Sequence, residues 1–216
     1  MGLRRHPGRL RAVLAPRRGP AARRAGGEPM DAAATAEMVG LALTDAAAVL
    51  LRRAGRDDAD AARWAEVLNS YALEAMVEDG VPFRPGAAEL LEEARLAGIP
   101  CALVSMSYTS VLTPVVASLP PGSFAVVVGG DQVARGKPDP EPYLRAAAAL
   151  GVAPLDCLAL EDSFPGTLSA QNAGMPALGI PFEQDIVPGP RRAIVPTLAG
   201  LSLEDASALW RELRDA

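Results

Sequence analysis

Histidine, cysteine and lysine are scarce in this chain, and each shortage removes a class of chemistry. The single histidine, His6, lies in an irregular leader, so a Ser-His-Asp triad and a multi-histidine metal site are both excluded. The two cysteines, Cys101 and Cys157, stand far apart at the start of short apolar runs, where a reduced, inert thiol is expected; no zinc-type Cys/His cluster exists. Aromatic residues make up 4% of the chain although half of it is apolar, and alanine fills the difference, a composition suited to helices packed closely on a sheet. No apolar run approaches the roughly 18 residues of a membrane span. At 216 residues the chain is long enough for one large domain, or a core domain with a smaller companion.

Positive charge is unevenly distributed. Residues 1–29 carry eight arginines and one acid, Glu28, leaving 13 basic against 25 acidic residues for 30–216. That body has no basic stripe to neutralise phosphates of a nucleic acid, so no such partner is expected. The leader has no apolar core and is not a secretory signal, and its lack of serine fits an organellar transit peptide poorly. Its one strand-like stretch is residues 10–14.

Residues 30–80 read as a small helical unit. Thr44 or Asp45 caps a predicted helix through Leu51, and Asp57 or Asp58 starts a longer one whose Trp64, Val67, Leu68, Tyr71 and Ala75 recur at helical spacing as core. From residue 81 the pattern alternates. Helices are predicted over Ala87–Leu96, Val111–Leu119, Asp139–Gly151, Thr167–Ala173 and Leu203–Leu213; strands over Pro100–Ser105, Phe124–Val128, Cys157–Leu160 and Pro176–Ile180. Such alternation implies βαβ units and an α/β fold with a doubly wound, Rossmann-like parallel sheet.

Open α/β sheets bind ligands at the carboxyl ends of their strands, and three of these ends carry chemistry. Cys157 to Leu160 is short and apolar, as a strand buried on both faces should be, and runs into the adjacent acids Glu161 and Asp162, read either as a helix cap and a surface charge or as ligand-binding carboxylates; Phe164-Pro165-Gly166 is read as a break before the next helix. Val104-Ser105-Met106-Ser107 places a hydroxyl and free backbone N–H groups after a strand, an anion cradle or a plain turn. The third end precedes Arg135-Gly136-Lys137-Pro138. In a chain with 20 arginines, its only lysine marks a place where a compact ammonium is needed, as phosphate coordination often requires. A hydroxyl, a cation and paired carboxylates on one sheet edge suit a phosphate held beside a hard cation such as Mg²⁺.

Leu103-Val104-Ser105, Gly136-Lys137-Pro138 and Leu160-Glu161-Asp162-Ser163 with Gly166 resemble the second, third and fourth motifs of the haloacid dehalogenase superfamily, in its β-phosphoglucomutase-like subgroup. The resemblance extends over residues 30–216, including Met38-Val39-Gly40-Leu41 and the Arg84-Pro85-Gly86 junction. It implies a helical cap over 30–80 and a phosphatase core over 81–216. It also implies that Ser105 and Lys137 are catalytic groups on the phosphoryl group, that Glu161 and Asp162 hold Mg²⁺, and that Met106, Ser107, Tyr108 and Thr109 border the substrate. The partner implied is a small phosphorylated metabolite, and the setting a cytoplasmic monomer. The family's mutases carry a cation just after the Val-Gly segment of the cap; Leu41-Ala42-Leu43-Thr44 is neutral here, which favours a phosphatase.

One motif departs from the pattern. The family's Asp-x-Asp-Gly-Thr, whose first aspartate attacks phosphorus and whose second is the acid/base, does not occur in this chain. If residues 12–14 are the family's first strand, Pro16 and Arg18 stand where the two aspartates belong. The expectation is a frame-altered or misassigned start, impaired activity, and low solubility from exposed sheet edges; the alternative is an inactive relative that binds a phosphorylated ligand or partner.

Overall fold

The computed structural model describes residues 37–38, 40–79, 83–182 and 185–216, in two compact units. The leader, the strand expected over 10–14, and Pro16 and Arg18 lie outside the described residues.

The helical unit, built on Leu43–Pro82, pairs α1 (Leu43–Arg53) with α2 (Ala61–Asp79). α1 buries Ala46, Ala47, Val49, Leu50 and Leu51, and α2 buries Ala65 and Leu68. Trp64 and Val67 of the expected stripe are half-buried. Between the helices Asp57 accepts a hydrogen bond from Ala59 N (2.9 Å), starting a short 3₁₀ turn that leads into α2. α1 begins at Leu43, so Thr44 and Asp45 lie inside its first turn rather than capping it. A carboxylate there still meets the positive end of the helix dipole.

The α/β unit consists of Gly40–Ala42 and Phe83–Ala216. Its elements run α3 (Ala87–Leu96), β1 (Ala102–Val104), α4 (Thr109–Ala117), β2 (Val126–Val128), α5 (Glu141–Leu150), β3 (Ala159–Glu161), α6 (Phe164–Asn172), β4 (Ala177–Gly179), β5 (Arg192–Ile194) and α7 (Leu203–Arg214). All strand pairs are parallel: β1 with β2, and β3 with β4 with β5. The alternation read from the sequence is thus a Rossmann-like α/β core. Among the described residues β1 and β3 each have a hydrogen-bonded neighbour on one edge only.

Strand periodicity decides what lies on each face. Ala159 and Ala177 pack with Tyr143, Ala147, Ala170, Ala173 and Met175, joining the sheet to α5 and α6. Leu178 and Ile180 pack with Leu90, Leu198 and Ala206, joined by Leu158, Ala193, Leu209 and Leu213 on the side of α3 and α7. Side chains that alternate along a strand therefore serve two helix layers.

Most element ends shift by one or two residues from the sequence reading, and around β3 and α6 the differences matter to the site. Helix α6 starts at Phe164, not Thr167: Ser163 is its N-cap, accepting from Gly166 N at 3.2 Å, and Pro165 sits in the first turn, where no N–H is needed. Phe164-Pro165-Gly166 is thus the first turn of the helix and not a break. Strand β3 runs one residue further, because Glu161 pairs with Gly179 and its carbonyl accepts Ile180 N at 2.6 Å. Leu160 is 43% exposed, not buried on both faces. Strand β5 was not anticipated; three residues opening on a charge leave no period to read. Both cysteines are free and half-buried, and burial pushes their thiols up, in keeping with inert groups.

Candidate active site

Lys137 lies in the loop between β2 and α5, and that loop is tied down at several points. The Glu141 carboxylate accepts from Ala134 N (2.8 Å) and Arg135 N (2.9 Å). Asn172 donates to Pro138 O at 3.0 Å, and Ser169 donates to Asp139 O at 2.5 Å. The Lys137–Pro138 peptide is cis. The lysine backbone N–H points at the Met106 sulfur, 3.4 Å away, and its side chain is 7% exposed. Nζ donates to Val104 O at the end of β1 (3.1 Å) and to Glu161 Oε1 at the end of β3 (2.5 Å). One ammonium thus bridges two strand ends that have no backbone pairing with each other among the described residues.

Glu161 collects further donors. The Tyr143 hydroxyl, from the first turn of α5, donates to the same Oε1, and Ser163 Oγ donates to Oε2 at 3.2 Å. Burial first, then the charge of Glu161, pushes the Tyr143 phenol well above its ordinary range, so it stays a donor. Two glycines make room for this arrangement. A β-carbon on Gly166 would collide with the Glu161 carboxylate, and one on Gly40, at φ +80°, would lie 2.7 Å from Ser163 Oγ.

The segment after β1 is built as a turn. Ser105 N donates to Val128 O (3.0 Å), and Ser105 Oγ accepts from Ser107 N at 3.2 Å, leaving its own proton to donate elsewhere. Thr109 is engaged with Asp131, through its N–H at 2.9 Å and its hydroxyl at 2.5 Å. Met106 is buried, with its sulfur against Gly136. Of the residues expected along the substrate, Met106 and Thr109 therefore hold the loop, whereas Ser105, Ser107 and Tyr108 are half-buried on it.

Asp162 follows β3 and is half-buried. Burial, then the neighbouring Glu161 charge, raises its carboxyl above the usual range, against the opposing pull of Lys137 and Arg84. Arg84 is held by Ile180 O (2.5 Å) and Pro181 O (3.0 Å) and lies over the Phe182 ring at 4.9 Å. Among the described residues no three His, Cys, Asp or Glu side chains gather to enclose a metal. Mg²⁺, however, is commonly held by one or two carboxylates, with water and phosphate oxygens completing its shell. Asp162, with Oε2 of Glu161, fits that limited role through its donor atoms: the two acids adjoin in the chain at the end of β3 and offer carboxylate oxygens, which a hard cation takes.

Tyr143 and Ser163 complete the site without having been assigned roles from the sequence. The available signal for Tyr143 was a lone aromatic in an alanine-rich helix directly after the lysine loop; for Ser163 it was a hydroxyl three residues before Gly166.

The comparisons bear on the family and the fold. The protein CbbY of Rhodobacter capsulatus is 35% identical over 133 residues, 60% of this chain and 59% of that protein. Hexitol phosphatase A of Escherichia coli K12 is 38% identical over 133 residues, covering 59% and 58%. The match thus spans less than two thirds of these relatives. Among solved structures, a CbbY variant from Rhodobacter sphaeroides in complex with xylulose-(1,5)-bisphosphate superposes with a TM-score of 0.72 at 26% identity, over 86% of this chain and 91% of that one. A β-phosphoglucomutase from Clostridium difficile shares the fold, with a TM-score of 0.75 over 91% and 88%. The pattern of haloacid dehalogenase-like hydrolases matches residues 16–174, and the chain belongs to that family.

Proposed function

We propose that the chain is a Mg²⁺-dependent phosphatase for a small phosphorylated metabolite, with its covalent step impaired by the missing first motif. The observation that carries the reading is the buried Lys137–Glu161 pair: its ammonium also reaches Val104 O, in the residue before Ser105, and its carboxylate is followed in the chain by Asp162. Lys137 presents a compact charge to a phosphate oxygen, and Ser105 donates its free proton to another. Asp162 and Glu161 Oε2 would hold Mg²⁺, which when bound supplies Lewis-acid charge neutralisation to the phosphoryl group. Holding a phosphoryl group without an attacking aspartate leaves the transfer unassisted, because the covalent route divides one hard step into two. The names of hexitol phosphatase A and of the phosphoglycolate phosphatases support a small phosphorylated substrate. In this reading residues 30–80 are the cap, 81–216 are the core, and the protein is cytoplasmic; no helix among the described residues is long and apolar enough to cross a membrane.

The test is phosphate release from an aryl phosphate by the purified chain, with and without Mg²⁺, beside Lys137→Ala. Little or no turnover, together with Mg²⁺-enhanced binding of inorganic phosphate that Lys137→Ala abolishes, supports the reading. Turnover or binding indifferent to Lys137 contradicts it.

A further inference from the structure

Tyr143 makes a contact that the proposed chemistry does not require. Its hydroxyl ends on the one carboxylate oxygen that also receives the Lys137 ammonium, and its ring lies 5.3 Å from that ammonium. We infer that Tyr143 is a positioning residue that limits the hold of Glu161 on Lys137 and so leaves the ammonium available to a phosphate dianion. The inference rests on the phosphate-site reading above and extends it to a residue that the sequence reading gave no role.

The argument is a count of donors and acceptors. An ammonium has three N–H groups. Val104 O takes one at 3.1 Å and Glu161 Oε1 a second at 2.5 Å, and no further hydrogen-bond acceptor meets Nζ among the described residues. The third N–H is the one a phosphate oxygen would take. Glu161 in turn receives Lys137 and Tyr143 on Oε1 and Ser163 on Oε2. All three side chains are buried, so none of these acceptor positions is freely served by bulk water. With the phenol in place, part of the Oε1 electron density is answered by a neutral donor and the carboxylate is held in one rotation. Without it, the vacated lone pair lies beside a single remaining cation. Glu161 then turns further onto Lys137 and engages the N–H that phosphate needs. Packing alone does not predict this, because the ring stays in the buried cluster with Ala147, Ala159 and Ala177 with or without the hydroxyl.

The experiment is calorimetric titration of the full chain with inorganic phosphate, in the presence of Mg²⁺, for four proteins. These are wild type, Tyr143→Phe, Lys137→Gln, and the chain with 3-fluorotyrosine at position 143. The Tyr143→Phe variant keeps the ring and is expected to bind phosphate about tenfold more weakly, the scale of one hydrogen bond to a charged group. Fluorotyrosine is the stronger donor and is expected to bind phosphate tighter, by about twofold; this arm leaves the hydroxyl in place and stands even if Tyr143→Phe fails to fold. Unchanged affinity in both, or a shift of both in the same direction, overturns the inference while Lys137→Gln still abolishes binding. If wild type binds no phosphate, or Lys137→Gln binds as wild type does, the phosphate-site reading falls and the role of Tyr143 falls with it.

Discussion

The two faces of the β3–β4–β5 sheet are packed with different side chains. On one face Ala147, Ala159, Ala170, Ala173 and Ala177 separate the sheet from α5 and α6; on the other Leu90, Leu158, Leu178, Ile180 and Leu198 fill the space toward α3 and α7. Alanine removes little apolar area from water, but it lets helix and sheet approach closely. The close approach puts Tyr143, in the first turn of α5, within hydrogen-bonding reach of Glu161 at the end of β3. The leucine face carries no member of the site and contributes larger burial. Function and stability are thus divided between the faces, and substitutions on each should fail in different ways.

The largest effect is expected from Lys137→Ala. It leaves Glu161 buried without its cation, which costs about 3–5 kcal/mol where one partner of a buried pair is removed. Denaturant unfolding should show a lower midpoint together with lost phosphate binding. Next comes Leu178→Ala on the leucine face: the side chain is fully buried, so about 2–5 kcal/mol should be lost with phosphate affinity unchanged in the folded fraction. Equal loss of binding would break the proposed division. On the alanine face, Ala170→Leu enlarges a fully buried residue and should cost about 1–3 kcal/mol by overpacking, with phosphate binding weakened as α6 shifts. Affinity equal to wild type would show that the close approach is not what sets the site.

The smallest effect lies at the start of α7. Ser202 and Asp205 form a capping box, and hydrogen bonds from Ser202 hold the Asp205 carboxyl below its usual range. A carboxyl depressed in the folded state stabilises above its unfolded pKa, and that contribution is lost as pH falls through the folded value. Ser202→Ala should therefore lower Tm slightly near neutral pH, with the gap to wild type narrowing below about pH 4 to what the bond from Asp205 N to Ser202 Oγ contributes. A gap that stays constant down the acid limb would exclude Asp205 as its source.

Much of the core was legible because its signals are local. Gly86 and Gly98, both at positive φ, bracket α3 where the sequence placed it, and Gly151 ends α5 in the left-handed conformation. Lys137 stood out because the chain otherwise uses only arginine for its basic side chains. What was not legible depends on contacts between distant segments. The sharing of Glu161 by Lys137 and Tyr143 joins positions 24 and 18 residues apart, and no spacing rule encodes that. The start of α6 is hidden in the sequence because Pro and Gly usually mark breaks, whereas a proline in the first turn and a glycine against a carboxylate both suit a helix beginning at that point. The apolar run around Leu160 implies burial, yet the side chain is exposed, because burial depends on which neighbours cover it.

The single lysine also supplies the most direct test. In a chain labelled with ¹³C at lysine Cε, the spectrum contains one resonance, and it reports on Lys137 alone. Adding inorganic phosphate with Mg²⁺ should move that resonance in a saturable way, and Tyr143→Phe should need about tenfold more phosphate for the same displacement. A resonance unmoved by saturating phosphate in the folded wild type would contradict the account at its centre, because the ammonium that joins β1 to β3 would then be a structural tie and not a phosphate ligand.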